Sequence, residues 1–164
     1  MLLSGGMDPP VAGACTKAEG SEVLALTVDY GQRHRAELDA ASKVVRWLGA
    51  REHVGIRVDL RAVGGSALTG GIPVPRGPSE GIPVTYVPAR NTLFLALALG
   101  LAESRAASAI VIGANRIDFS GYPDCRPEFL DAFARVAETG TKAGVEGRAP
   151  RLLAPLLDLT KADI

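Results

Sequence analysis

The sequence predicts an α/β fold in which helices cover both faces of an open parallel sheet. Apolar, β-branched segments alternate along the chain with segments of helical periodicity. This alternation is typical of βαβ units, whose crossover helices pack on a parallel sheet. Polar, glycine-containing stretches follow three of the predicted strands, which is where open α/β sheets bind ligands. The 164 residues are enough for a single domain with one core.

Five short apolar segments are predicted as strands. They are residues 2–3, 22–30, 53–60, 109–114 and 152–157. The first is shorter than the usual five or six residues of a strand, because only three residues precede the polar loop. The second (EVLALTVDY) and the fourth (AIVIGA) have the apolar composition of buried parallel strands. We therefore expect the sheet to be formed mainly by short, buried strands.

Helices are predicted between these strands. Residues 33–48 place their apolar side chains on one face, and residues 90–107 are apolar nearly all round, as in a buried helix. Residues 127–138 form an amphipathic pattern with a proline in the first turn. Residues 160–163 resemble a capping box, which predicts the start of another helix. Residues 64–83 are rich in Gly and Pro, which predicts a long loop.

Composition excludes several functional classes. The formal net charge is zero, which argues against a basic nucleic-acid-binding surface. Two cysteines, Cys15 and Cys125, give no disulfide framework, so a reducing compartment is expected. No apolar run is long enough for a membrane span, and the first residues do not resemble a signal peptide. We expect a cytoplasmic protein that does not act on nucleic acid or membrane.

The first polar stretch has the features of a phosphate-binding loop. Ser4, Gly5 and Gly6 follow the first strand, and Asp8 comes where a helix would begin. Backbone N–H groups and the helix dipole attract anions at such a position. Asp8 could hold a metal ion or cap the helix. Three residues alone are a weak signal, since an ordinary tight turn before a helix has the same composition.

A second polar stretch, residues 115–128, follows the strand AIVIGA. It contains two aspartates, Asp118 and Asp124, together with Arg126 and other polar side chains. Such density in a loop indicates either a solvated surface or a site, and the aromatic and proline residues within it favour a site. Cys125 has no histidine near it in sequence, so a packed thiol is expected rather than a nucleophile.

Three basic residues are candidates for binding phosphate. Arg90 stands at the start of a buried helix, where its charge would oppose the helix dipole unless it meets an anion. Lys142 and Lys161 could each reach a phosphate, although solvated lysines would give the same pattern. The sequence alone favours Arg90 as an anion-binding residue and does not decide whether either lysine binds phosphate.

Taken together, these motifs resemble one family. SGGMD is similar to the SGGxDS motif of the N-type ATP pyrophosphatases. The stretches VDYGQRHRAELDAA, GGSALTG, IPVTYVPARNT, GANRIDFSGYPDCRPEF, TKAGVEG and PLLDLTKADI resemble the 7-cyano-7-deazaguanine synthases of queuosine biosynthesis. The resemblance covers residues 2–164, and SGYPDCRPEF joined to VPARNT is its most specific part. It implies the adenine nucleotide alpha hydrolase-like (HUP) version of the predicted sheet.

The resemblance implies an activity. This family converts 7-carboxy-7-deazaguanine and ammonia to the nitrile with ATP, through an acyl adenylate and an amide. Mg²⁺ would accompany the ATP, and relatives form homodimers. Carboxylates do not react with ammonia at neutral pH without activation, so the enzyme has to supply positioning and charge stabilisation.

It also implies residue roles. The residues for nucleotide binding follow the first two strands: Leu3, Ser4, Gly5, Gly6, Asp8, Tyr30, Gly31 and Gln32. Those for catalysis are charged: Asp8, Arg90 and Lys161. Those for the deazaguanine lie in the second polar stretch: Asp118, Tyr122, Asp124 and Arg126.

The sequence departs from the family pattern at Pro9 and Pro10, which stand where the family has Ser followed by Thr or Ser. The change removes a hydroxyl and two backbone N–H donors. If both donors contact phosphate, their loss costs about 3–6 kcal/mol of binding free energy. First-turn positions tolerate proline, so the helix itself can still begin there.

Two further departures concern the ends of the pattern. Several strand residues precede the loop in relatives, and a four-cysteine zinc site lies in the last quarter of their length. Cys15 and Cys125 cannot form such a site, so no metal ligands are predicted and a single domain over residues 1–164 lacking the zinc segment is expected.

These departures leave two hypotheses open. In the first, the chain is a synthase with residual or full activity. In the second, it is an inactive remnant that binds a purine-like base or a partner subunit without ATP turnover. A tRNA thiolase of the same superfamily is a third reading, but the neutral charge and the SGYPDCRPEF run argue against it.

Overall fold

The computed structural model describes residues 1–32, 36–69 and 81–164. Four strands and six α-helices alternate along these residues. The strands are β1 (Leu24–Asp29), β2 (Glu52–Arg57), β3 (Ala109–Val111) and β4 (Arg151–Leu153). The helices are α1 (Asp8–Ala18), α2 (Ala36–Leu48), α3 (Arg90–Ser104), α4 (Arg116–Gly121), α5 (Pro127–Gly140) and α6 (Lys142–Val145). Short 3-10 turns lie at Leu60–Ala62 and Pro123–Cys125.

Residues 1–3 join two pairs of parallel strands into one layer. β1 pairs with β2, and β3 pairs with β4, both in parallel. Leu2 bridges Leu26 of β1 in parallel, and its N–H donates to the carbonyl of Val111 in β3 at 2.9 Å. The spatial order is therefore β2, β1, residues 1–3, β3, β4. The loop that begins at Ser4 consequently leaves from the middle of the sheet.

One face of this layer packs against α3 and α5. Leu2, Leu26 and Ile110 are buried on this face, in the same cluster as Leu95 of α3 and Phe133 of α5. Burying large apolar side chains in this way is the main favourable term in folding. The near-continuous apolar surface of α3 is explained by its position on this face.

The opposite face packs against α1 and α2. Leu3 and Ala25 share a buried cluster with Val45 of α2, while Val111 shares one with Ala12 of α1. Neighbouring residues of each strand thus point to opposite sides, as the two-residue period of a strand requires. The predicted arrangement, a parallel sheet with helices on both faces, is confirmed.

The observed elements differ from the predicted ones mainly at their ends. The strand predicted at 53–60 becomes β2 followed by the 3-10 turn, and those predicted at 109–114 and 152–157 have three residues each. Residues 33–35 of the helix predicted at 33–48, and residues 70–80 of the predicted long loop, lie outside the described residues.

Two short helices occur where the sequence predicted none. α4 lies inside the second polar stretch, and α6 follows α5 directly. Both begin at a capping side chain, Asn115 for α4 and Thr141 for α6. Helices of one turn have no hydrophobic period to detect, so their caps are the main local signal.

The helix predicted to begin at Thr160 is not formed. Residues 161–163 make a turn, although Thr160 donates its N–H to Asp163 Oδ2 at 2.8 Å, as in a capping box. The cap contact was therefore predicted correctly and the helix was not. Within the described ranges, no helix is both long and apolar enough to cross a bilayer.

Candidate active site

A cleft of about 330 Å³ opens at the carboxyl edge of the sheet. Its walls come from the loop after residues 1–3, from the end of β1, from the start of α3 and from α4. Volumes of this order are at the lower end of the range for small-molecule sites. The polar residues that line it include Ser4, Asp8, Thr27, Gln32, Glu37, Arg90, Asn91 and Asp118.

The first wall is the glycine loop, which passes very close to α2. A Cβ atom on Gly5 would lie 2.3 Å from the carbonyl oxygen of Glu37 and 2.8 Å from Cβ of Ala40. No other residue fits without moving the backbone. Ser4 is exposed and its hydroxyl accepts a long hydrogen bond, 3.4 Å, from the N–H of Gly6. The loop therefore presents backbone and one hydroxyl to the cleft.

The loop leads directly into α1 despite the two prolines. Helix α1 begins at Asp8 and has no side-chain cap, and Pro9 and Pro10 occupy its first turn. The N–H groups missing from prolines have no intrahelical partner there anyway, so the helix is not weakened. Gly113 lets this end approach β3, because a Cβ on Gly113 would lie 2.8 Å from the nitrogen of Pro9.

A second wall follows β1 as a tight turn. Gln32 Oε1 accepts from the N–H of Tyr30 at 3.0 Å, and Asp29 Oδ1 accepts from the N–H of Gly31 at 3.1 Å. Gly31 has φ of 81°, a left-handed conformation that favours glycine. Tyr30 and Gln32 line the cleft, whereas Gly31 lines a small neighbouring depression with Arg61.

An aromatic pair and an arginine form the third wall. The rings of Tyr30 and Phe94 lie 5.5 Å apart, and the guanidinium of Arg90 lies 6.0 Å from the centre of the Phe94 ring. Burial raises the pKa of Tyr30, and the nearby charge of Arg90 lowers it in part. The phenol is therefore neutral at physiological pH and can donate a hydrogen bond.

The residue before Arg90 has an unusual backbone. Ala89 has φ of 53° and ψ of 23°, in the left-handed region that non-glycine residues seldom adopt. Its N–H donates to the hydroxyl of Tyr86 at 3.2 Å. Such a conformation costs about 1–3 kcal/mol and tends to occur at functional sites. It sets the direction in which α3 starts, and hence where Arg90 lies.

Asp8 and Asp118 are connected by a network at the floor of the cleft. The amide nitrogen of Asn115 donates to Asp8 Oδ2 at 2.9 Å and to Asp118 Oδ2 at 2.7 Å. Lys161 Nζ lies 2.6 Å from Asp8 Oδ1 and forms an ion pair with this carboxylate. Burial raises the pKa of Asp118, and the charge of Asp8 adds to the increase, against the lowering effects of Asn115, Lys161 and Arg90.

A second buried network lies behind α3. Asp124 Oδ2 accepts from the N–H of Asn91 at 2.9 Å, and the Asn91 side chain donates to the carbonyl of Asp124 and to Sγ of Cys125. Asp124 Oδ1 is buried with no hydrogen-bond partner among the described residues. Burial raises the pKa of Cys125 to about 12, so its thiol stays protonated. This agrees with the expectation of a packed thiol.

Ten of the residues selected from the sequence line this same cleft. They are Leu3, Ser4, Gly5, Gly6, Asp8, Tyr30, Gln32, Arg90, Asp118 and Tyr122. Four others do not line it. Lys161 forms an ion pair with the lining residue Asp8, and Asp124 accepts a hydrogen bond from the lining residue Asn91. Gly31 lies in the neighbouring depression, and Arg126 is exposed at the start of α5.

Sequence reasoning did not select Asn115, Asn91 or Gly113. Asn115 followed by Asp118 is a capping-box pattern, and both of its hydrogen bonds are present. That pattern was a detectable signal. The contacts of Asn91 with Asp124 and Cys125 join residues more than thirty apart, so no local pattern could have indicated them.

The site fits Mg²⁺ but offers nothing for zinc. Magnesium in nucleotide sites is held by one or two carboxylates together with phosphate oxygens, a set that Asp8 and Asp118 can complete. Within residues 1–32, 36–69 and 81–164, no group of three or more His, Cys, Asp or Glu side chains is arranged to hold a metal. Cys15 belongs to α1 and packs beside Val111 and Leu156, whereas Cys125 lies in the core of the opposite face.

The fold and cleft define a class of protein: a parallel α/β domain with a glycine-loop ligand site at the carboxyl edge of its sheet. Residues 1–164 match the model of the family described as queuosine biosynthesis protein QueC. The chain belongs to this family.

Curated relatives from three pseudomonads match the whole chain. Proteins named 7-cyano-7-deazaguanine synthase from Pseudomonas fluorescens, Pseudomonas syringae pv. tomato and Pseudomonas aeruginosa are 58%, 59% and 59% identical over 165 residues. All of this chain is covered, together with 74%, 73% and 74% of the respective relatives. The family resemblance described from the motifs is thereby confirmed.

Proposed function

We propose that this protein is a 7-cyano-7-deazaguanine synthase, an ATP-dependent carbon–nitrogen ligase of queuosine biosynthesis. The observation that carries the proposal is the shared cleft: the glycine loop, Arg90 and Asp118 line one cavity in a chain about 58% identical to synthases over its whole length. The inactive-remnant alternative is not favoured, because the loop, α1 and the charged residues of the cleft form one connected site.

The proposed reaction uses two activations by ATP, first of the carboxylate and then of the amide. The carboxylate of 7-carboxy-7-deazaguanine attacks the α-phosphorus of ATP, which releases pyrophosphate and forms an acyl adenylate. Ammonia displaces AMP and loses a proton, which gives the amide. The amide oxygen then attacks the α-phosphorus of a second ATP, which releases a second pyrophosphate, and loss of AMP and of both N–H protons leaves the nitrile. ATP and Mg²⁺ would supply the leaving group and charge neutralisation.

The residues of this chain have positioning and electrostatic roles in the proposal. Gly5 and Gly6 allow the phosphates to approach the backbone, and the positive end of the α1 dipole favours their charge. Arg90 and Lys161 neutralise charge that develops on the phosphates. Asp8 orients Lys161 and, with Asp118, would hold Mg²⁺. No donor at positions 9 and 10 contributes, since both are proline.

The remaining residues would bind the two heterocycles. Tyr30, Gly31 and Gln32 are proposed to lie along the adenosine. Tyr122, Asp124 and Arg126 are proposed to serve the deazaguanine with Asp118. Two observations support this part of the proposal: the hydroxyls of Tyr122 and Thr85 lie 2.7 Å apart, and one carboxylate oxygen of Asp124 has no hydrogen-bond partner in the described part of the chain. An unpaired buried carboxylate oxygen is costly unless a ligand donates to it.

The test is product formation with ATP, Mg²⁺, ammonia and 7-carboxy-7-deazaguanine, followed by mass spectrometry for the nitrile and by AMP release. Nitrile with one AMP for each activation is expected. Replacing Lys161 by methionine should lower kcat/KM for ATP by about tenfold to a hundredfold. The matched control, Lys142→Met, removes an exposed lysine that lies 4.0 Å from Glu146, and should leave kcat/KM unchanged.

Separate binding measurements distinguish the alternatives. Calorimetric titration with ATP and with 7-carboxy-7-deazaguanine should show both to bind. Binding of the deazaguanine without binding of ATP, together with absence of nitrile, would instead support the inactive remnant. A homodimer and a cytoplasmic location are further parts of the proposal; the mass of the protein in solution tests the first.

A further inference from the structure

The side-chain amide of Asn115, at the floor of the cleft, uses all of its hydrogen-bonding positions. It is fully buried, with 0% exposure. Its Oδ1 accepts from the N–H groups of Ile117 and Asp118 at 2.8 and 3.2 Å. Its Nδ2 donates to Asp8 and Asp118, as described above. A primary amide offers two donors and two acceptor lone pairs, so every hydrogen bond that this side chain can make is made.

The two ends of this amide have different tasks. The oxygen caps α4, and serine or aspartate caps helices as well as asparagine. The nitrogen does something that neither of those residues can do, because it donates to two carboxylates on separate elements, α1 and α4. Helix capping therefore accounts for the oxygen of the amide, but it does not account for the presence of the nitrogen.

The charge of the group is equally specific. Two carboxylate oxygens that accept hydrogen bonds from the same amide nitrogen lie about 5 Å apart. At this distance the negative charges of Asp8 and Asp118 repel each other. A neutral amide holds them at this distance without neutralising either one. Aspartate in the same place would add a third negative charge. A lysine in the same place would add a second ammonium group beside Asp8, whose carboxylate already forms an ion pair with Lys161.

We propose that Asn115 is a positioning residue that fixes the carboxylate of Asp8, and with it the nucleotide loop, against Asp118 on α4. The inference rests on the proposed function, in which these two carboxylates serve the bound ATP. Asn115 itself lies beneath the cleft lining and acts through them.

The test uses variants that keep the helix cap and remove the bridge. Asn115→Ser retains an oxygen that can cap α4 and loses both Nδ2 donors. We expect its melting temperature to fall, because two buried hydrogen bonds to carboxylates are lost, while the Kd for ATP with Mg²⁺, measured by calorimetry below that temperature, rises about tenfold to a hundredfold. In the nitrile assay KM for ATP should rise and kcat should fall.

Two further variants sharpen the result. Asn115→Asp also keeps the cap but adds a charge, so its Kd for ATP should rise more than that of Asn115→Ser; the serine variant decides the matter if the aspartate variant does not fold. The control Thr141→Ala removes the N-cap of α6, a helix outside the cleft lining. It should lower the melting temperature and leave KM for ATP unchanged.

The outcomes separate the inference from the proposed function. If Asn115→Ser binds ATP as tightly as the wild type does, the positioning role is overturned, even if the wild type forms nitrile. If the wild type binds ATP without forming nitrile and Asn115→Ser still weakens binding, the positioning role stands and the synthase assignment fails.

Discussion

Asp118 is a partly buried carboxylate beside a second one, Asp8. Burial raises the pKa of Asp118, so the folded protein binds this proton more tightly than the unfolded chain does. The stability contributed by the proton is therefore present at low pH and is lost as pH rises through the raised pKa. The ionised form of Asp118 is therefore the form that the folded environment disfavours.

The variant Asp118→Asn should show how much stability the fold loses when the Asp118 carboxylate is ionised. The amide oxygen of the new residue can still accept from Asn115, while the buried charge is gone. We expect the variant to melt at a higher temperature than the wild type at pH 7, with the difference narrowing as pH falls toward the ordinary aspartate pKa. Calorimetric melting curves between pH 4 and pH 8 measure it. A difference that widens on acidification would contradict the argument.

The same substitution should lower nitrile formation, because Asp118 is proposed to serve the substrates. A gain in stability together with a loss of activity is the usual signature of a functional carboxylate held in an unfavourable environment. A stabilised variant with unchanged activity would remove Asp118 from the proposed site.

At the scale of elements, the contact between α1 and β3 depends on Gly113. A Cβ there would lie 2.8 Å from Pro9 N and 3.0 Å from Pro9 Cα, and neither backbone atom can move alone. Gly113→Ala should therefore lower the free energy of unfolding by about 1–3 kcal/mol and weaken ATP binding, since the first turn of α1 is displaced. Urea unfolding and calorimetric titration measure the two effects.

The matched control is Gly100→Ala in α3. A Cβ on Gly100 meets nothing within 4 Å, and the residue is exposed in the interior of a helix. Alanine there should raise the free energy of unfolding by about 0.5–1 kcal/mol and leave ATP binding as it is. Equal effects of the two substitutions would show that close approach at Gly113 is unimportant.

Replacing the two prolines of α1 should have opposite effects on ATP binding and on stability. The double variant Pro9→Ser, Pro10→Thr restores two N–H donors at the phosphate end of the helix, so the Kd for ATP should fall by about tenfold or more. The unfolded chain gains freedom, which should lower stability by about 0.4–1 kcal/mol per proline. An unchanged Kd would place the phosphates away from positions 9 and 10.

The sheet was predictable because its signals are local. Alternating strand and helix periods indicate a parallel sheet without any knowledge of distant contacts. The positions of the polar stretches after strands also predicted one cleft. The bridge between Asp8 and Asn115 was not predictable, because it joins residues 107 apart and no periodicity links them. Helices α4 and α6 were missed because single turns depend on caps.

At the scale of the whole molecule, the cleft takes residues from both strand pairs: Thr27 from β1 and Ile112 next to β3 both line it. A ligand bound there should stabilise both halves together. ATP at a hundred times its Kd should raise the free energy of unfolding by about 2.7 kcal/mol, and the melting temperature by about 5–10 °C, in one transition. Differential scanning calorimetry distinguishes this from two transitions.

The ion pair between Lys161 and Asp8 joins side chains 153 positions apart in the chain. Ring closure over such a span is entropically expensive and comes late in folding. During synthesis, therefore, the glycine loop has no lysine partner until the residues between Asp8 and Lys161 have followed it. Because Lys161 is proposed to neutralise phosphate charge, full nucleotide binding becomes possible only after this lysine has left the ribosome and reached Asp8.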